Sequence, residues 1–195
     1  MTLTAIDDRA ALVLIDLQNG IMGAQGAPHT TAEVVARAVE LADAFHTRDL
    51  PVVLVRVTAA ADGADVTPGR TETPGHLGAR PPAGWDHIVD DLAGHAGDIT
   101  VTKRTWGAFH GTDLDLHLRR RGVTQIVLAG IATSIGVEST ARAAHEHGYH
   151  VTLAVDAMTD RDPVAHQHSI DTIFPRLGET GTTADVVALL GKNRG

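Results

Sequence analysis

The chain has 195 residues, the length of one ordinary domain. Its 16 Lys and Arg stand against 24 Asp and Glu, a formal charge of −8, which argues against nucleic acid and anionic membranes as partners. It has no cysteine, so disulfides, thiolate metal ligands, iron–sulfur clusters and a thiol nucleophile are excluded and a cytoplasmic location fits. Hydrophobic residues reach 43% but aromatics only 3%, so the core must be Val, Leu, Ile and Ala, which suits strands buried on both faces.

In chain order, residues 11–16 read as an apolar strand ending in Asp16, with no signal-peptide pattern ahead of it. Residues 30–49 carry Val34, Val35, Ala38, Leu41, Ala42 and Phe45 at helical spacing. A second strand follows at 51–57 and a short third at 99–102. Residues 113–121 predict a helix whose basic end suits the helix dipole. Next come a strand at 124–130, a helix at 134–147 and a fifth strand at 149–156. Residues 163–175 open with proline, as helices do, and 176–180 form a weak sixth strand before a last helix at 183–190. The apolar runs fall short of the roughly 18 residues that a membrane span needs.

This alternation predicts an α/β fold: a single domain over residues 1–195, with a mostly parallel sheet of five or six strands in a three-layer αβα sandwich. Ligands of such sheets sit at the carboxyl ends of the strands. Those ends are Asp16, residues 56–58, Lys103 and residues 130–136. Residues 59–85 are rich in Gly, Pro, Ala and Thr, have no period, and are too long for a plain connection. They are expected to form a substrate lid or a subunit contact.

Asp16 at the mouth of an apolar sheet can serve as general acid or base: burial raises its pKa and a nearby cation lowers it. Lys103 ends the third strand and would face the same mouth. Each also has a plain reading, a turn acid and a solvated loop lysine. Residues 130–140 form a strand–turn–helix whose backbone N–H groups could hold an anion. Within it, Ala132-Thr-Ser-Ile-Gly136 is close to a Gly-x-Ser-x-Gly nucleophile elbow. Ser134 would be the nucleophile, with Asp156 and His166 or His168 following in the order of that fold; its plain reading is a helix N-cap. The spacings of His145, His147 and His150, and of His166 and His168, do not place side chains on one helix face, and no His-Glu-x-x-His occurs. No protein-bound catalytic metal and no cofactor are expected.

Taken together, three segments resemble the isochorismatase-like hydrolase superfamily. They are Leu14-Ile-Asp16-Leu-Gln18, the Lys103 to Phe109 segment with Thr112-Asp-Leu114, and Gly130-Ile-Ala-Thr133 running on through Gly136-Val137 to Thr140-Ala-Arg142. The resemblance covers nearly the whole chain. It implies that Asp16 and Lys103 are active-site residues and that the peptide between Ile131 and Ala132 is cis, aiming the Ala132 and Gly136 N–H groups into the pocket. It also implies that Gly136 stands where the cysteine hydrolases of the group carry their nucleophile. Isochorismatases proper lack that cysteine and rely on the aspartate.

The resemblance and the residues together imply a metal-independent hydrolase of a small, anionic metabolite, working by non-covalent acid/base chemistry. Asp16, Lys103 and Gly136 would form the catalytic centre. Gln18, Arg80, Trp106 and Phe109 would line the pocket with Ala132, Thr133 and Ser134, and the protein would be a homodimer or homotetramer. Two other readings stand beside it: a non-catalytic or degenerate small-molecule binder of the same fold, and a serine hydrolase using Ser134.

Overall fold

The computed structural model describes residues 3–67, 69–73 and 82–192. The strands are β1 (Ala10–Ile15), β2 (Val52–Val57), β3 (Ile99–Lys103), β4 (Gln125–Ile131), β5 (His150–Thr159) and β6 (Glu179–Gly181). The α-helices are α1 (Asn19–Met22), α2 (Thr31–His46), α3 (Leu114–Arg120), α4 (Glu138–Glu146), α5 (Pro163–His168) and α6 (Thr183–Lys192). The strands form one six-stranded sheet in the order β3-β2-β1-β4-β5-β6, and every neighbouring pair is parallel.

All six residues of β1 are buried, so both faces of its apolar run meet side chains. On one face Leu12 and Leu14 pack with Val34, Leu41 and Phe45 of α2 and with Val186 and Leu190 of α6. On the other, Val13 and Ile15 pack with Leu114 and Leu118 of α3 and with Ala141 and Ala144 of α4. The three layers follow from these two apolar faces. A capping box fixes the start of α2: Thr30 Oγ1 accepts from Glu33 N, and Thr30 N donates to the Glu33 carboxylate.

The strand order reverses between β1 and β4, which opens a crevice at their carboxyl ends. Gly130 permits their close approach there. Its φ is +122°, and a Cβ would stand 2.2 Å from the Ile15 carbonyl oxygen.

Three elements differ from the sequence expectation. The helix expected at 134–147 begins as a π-helical turn, Thr133–Val137, and becomes α-helical only at Glu138. The segment 163–175 is α5, then a π-helical turn (Ser169–Ile173), then a 3-10 turn (Phe174–Arg176) containing Pro175. The fifth strand runs past Asp156 to Thr159, because its register slips: Leu128 pairs with Leu153, but Gly130 pairs with Met158. The long loop at 59–85 lies in the β2–β3 connection, and its described residues form neither helix nor strand. Arg80 lies outside the described residues. Among the described residues, no helix is long and apolar enough to cross a membrane.

Candidate active site

Asp16 follows β1 directly and takes a φ of +56°, a left-handed conformation that Asp tolerates better than most residues. Its carbonyl accepts from Gln18 N at 2.9 Å, which closes the turn. Its side chain is thereby held at the crevice rather than continuing the strand.

Lys103 is the last residue of β3, the edge strand, two strands away from β1. Two strand spacings are about 10 Å, which the extended lysine side chain and the aspartate close between them with one hydrogen bond. Nζ lies 2.8 Å from Asp16 Oδ2, with both side chains buried. The ammonium also donates to Thr105 O at 3.2 Å and Trp106 O at 2.8 Å. Its three N–H bonds are therefore all used, and they tie the loop after β3 to Asp16.

The two carboxylate oxygens of Asp16 are not equivalent. Oδ2 is bonded to Lys103, whereas Oδ1 is buried and has no hydrogen-bond partner among the described residues. Burial pushes the carboxyl from 3.8 up to about 6, and the charge and hydrogen bond of Lys103 only partly offset it. The group is thus poised to exchange a proton near neutral pH.

Gly136 sits against this carboxylate. A Cβ there would stand 3.3 Å from Asp16 Oδ2, 3.0 Å from Ile15 Cγ2 and 3.5 Å from Trp106 O. Its φ lies outside the left-handed range. What the glycine provides is therefore space beside Asp16 rather than a special backbone conformation. The peptide between Ile131 and Ala132, at the entry to this turn, is cis.

The other predicted residues are placed as follows. Gln18 is fully buried; its Nε2 donates to Val57 O at 3.0 Å and its Oε1 accepts from Val57 N at 2.8 Å. Its amide thus extends the end of β2 and is taken up by backbone. Trp106 presents its backbone carbonyl to Lys103, while the residue is 67% exposed. Phe109 turns into the core, stacked on His147 and beside Tyr149. Ala132 caps the π-helical turn and packs against the α2-side core. Thr133 is fully buried with Oγ1 2.8 Å from His166 Nδ1. Burial is the main cause that lowers the pKa of His166.

Ser134 is neither an N-cap nor part of a triad. Its N–H and Oγ–H both donate to Asp160 Oδ2, at 2.8 Å each. Asp156 lies elsewhere, accepting from Thr183 N and Oγ1 at the start of α6. The register slip in β5 is the reason: it moves the strand end three residues on, to Thr159, and Asp160 follows it directly. The sequence reading missed Asp160 for this reason. Thr140 entered only within the family resemblance, with no role assigned; its hydroxyl donates to Gly136 O at 2.7 Å and accepts from Ala108 N at 3.0 Å. Thr140 thereby locks the loop after β3 onto the turn that carries Gly136.

A parallel α/β sheet with a buried acid–lysine pair beside the point where its strand order reverses belongs to the class of α/β folds that bind ligands at the carboxyl edge of the sheet. Residues 10–185 match the isochorismatase domain. An uncharacterized isochorismatase family protein of Escherichia coli O157:H7, YecD, is 44% identical over 180 residues, 92% of this chain and 95% of that protein. The solved structure of an isochorismatase family protein from Burkholderia thailandensis superposes with a TM-score of 0.92 at 45% identity, covering 96% of this chain and 98% of that one. A ureidoacrylate amidohydrolase of Caulobacter vibrioides is 38% identical over 128 residues, 63% of this chain and 55% of that protein. The chain belongs to the isochorismatase family, a family of hydrolases.

Proposed function

We propose that this protein hydrolyses a small anionic molecule with water, not a side chain, as the nucleophile, and with Asp16 as the proton carrier. The observation that carries this reading is the Asp16 carboxylate itself. One oxygen is fixed by Lys103 and the other is buried and, among the described residues, unpartnered. The Asp16 carboxylate takes a proton from water as the water oxygen bonds to the electrophilic carbon of the substrate. The same proton then passes to the leaving group as its bond to that carbon breaks, so Asp16 ends as it began. Lys103 positions the carboxylate and keeps it from being permanently protonated. Gly136 leaves room for the reacting atoms beside Asp16, and the N–H groups of Ala132 and Gly136 hold the negative charge of the substrate. The absence of cysteine from the chain supports this non-covalent route.

The reading extends to a homodimer or homotetramer in the cytoplasm.

The test is a panel of ureido acids, including ureidoacrylate, together with amides and vinyl ethers, assayed at high enzyme concentration. Turnover that is abolished in Asp16→Asn supports the hydrolase. Saturable binding of a panel member without turnover by the parent protein would instead make it a binding protein of the same fold.

A further inference from the structure

We propose that His46, His95 and Asp98 form a binding site for a divalent transition-metal ion at the end of the sheet opposite Asp16 and Lys103. His46 is the last residue of α2, and Asp98 immediately precedes β3, which ends in Lys103. Five strand steps separate Asp98 from Lys103, roughly 16 Å. The site is therefore separate from the crevice, and the proposal does not depend on the hydrolase reading.

Each of the three residues offers one ligand atom, and the three atoms lie within 4.8 Å of one another. His46 Nε2 is 2.7 Å and His95 Nδ1 is 3.1 Å from the same carboxylate oxygen, Asp98 Oδ1. Among the described residues these two imidazoles are the ion-pair partners of Asp98, whose carboxylate is only 7% exposed. Such a carboxylate, with no lysine or arginine beside it among the described residues, takes its positive charge from protonated imidazoles or from a bound cation.

His95 Nδ1 lies 3.1 Å from Asp98 Oδ1 and 3.3 Å from Gly97 N. A proton on this nitrogen or a cation between it and the carboxylate satisfies the first contact, and the nitrogen is a ligand atom in the second case.

Two imidazole nitrogens and one carboxylate oxygen are the donor set of zinc and its first-row neighbours, not of magnesium or calcium. Ligand bonds of about 2.0–2.2 Å place the donor atoms a few tenths of an ångström further apart than the hydrogen-bonded contacts do. The two rings now stack with centroids 3.6 Å apart, and an ion held in the plane of each ring requires one of them to turn. His95 is the one that can, because its side chain is 53% exposed. Three protein ligands leave further positions for water. The bound ion would clip the end of α2 to the loop that leads into β3.

The test is calorimetric titration of the chelator-treated full-length protein with zinc chloride, paired with melting curves. The expected result is one zinc ion per chain and a rise in melting temperature. Affinity should fall roughly tenfold or more in His95→Ala, His46→Ala and Asp98→Asn, and stay unchanged in His110→Ala. His95→Ala, at a half-exposed position, is the variant expected to fold normally. Cobalt should give a visible absorption band in the parent protein that is lost in His95→Ala. Absence of saturable binding below about 1 mM zinc, or binding that survives His95→Ala undiminished, would overturn the proposal.

Discussion

Lys103 reaches from the edge strand across the end of β2 to meet Asp16 at 2.8 Å, and spends its remaining two N–H bonds on the carbonyls of Thr105 and Trp106. One residue thus sets both the ionisation of the acid and the path of the loop beside it. Replacing it separates these effects from substrate binding. In Lys103→Met, Asp16 loses the charge that pulls its pKa down, so that pKa rises further above about 6. The acid limb of the pH–rate profile should move to higher pH, and the rate at neutral pH should fall by roughly tenfold or more. A limb that stays in place would show that Lys103 does not tune Asp16.

The same carboxyl sets the direction of a stability change with pH. Its folded pKa, about 6, lies above the ordinary 3.8. Between those values the folded protein holds a proton that the unfolded chain has released. Stability from this group is therefore full below about pH 4 and is lost as pH rises through about 6, by about 3 kcal/mol at most. Urea midpoints should show the parent protein losing stability relative to Asp16→Asn between pH 4.5 and 7. A constant difference across that range would contradict the raised pKa.

Gly136 can be given a side chain without reversing its backbone, because its φ is not left-handed. The new Cβ needs Ile15 Cγ2, at 3.0 Å, to yield by a few tenths of an ångström. Gly136→Cys should therefore fold and carry a thiol beside Asp16 and the Lys103 ammonium. The parent chain has no cysteine, so alkylation by iodoacetamide reports this thiol alone. Labelling should be fast near neutral pH, below the free thiol pKa of about 8.5, and slower in combination with Lys103→Met. Ordinary thiol reactivity in a folded protein would mean that Gly136 does not face the pair.

Gln18 provides a contrast between structure and chemistry. Its amide closes two hydrogen bonds with the Val57 backbone in a fully buried setting. Gln18→Ala leaves both backbone groups unsatisfied and should destabilise the fold by about 2–4 kcal/mol. Thermal unfolding of the variant is the measurement; a melting temperature equal to that of the parent would assign the side chain to the ligand instead.

The fold was legible because burial on both faces leaves continuous apolar runs such as residues 10–15, and because alternation with helices admits one parallel arrangement. Asp16 and Lys103 were legible for the same reason: each ends such a run, and parallel strands bring their ends to one edge. Asp160 was not, since the extra residues in β5 arise from a slip in pairing that has no counterpart in the apolar pattern. The loop after β3 has no period, so nothing local distinguishes Trp106, which is exposed, from Phe109, which is in the core. The His46–Asp98 contact joins residues 52 positions apart through the end of a helix and a loop, and spacing rules within one element do not reach it.

The most direct test of the account is the pH dependence of kcat/KM for a turned-over member of the substrate panel, in the parent protein and in Asp16→Asn. The ionised carboxylate is the form that takes the proton from water, so the rate of the parent should climb with pH and level off above about 6. Asp16→Asn should lose about 100-fold or more and show no such limb, while remaining folded through the bonds Lys103 keeps to Thr105 and Trp106. Retention of most of the activity in Asp16→Asn, with the limb unchanged, would contradict the assignment of Asp16 as the proton carrier.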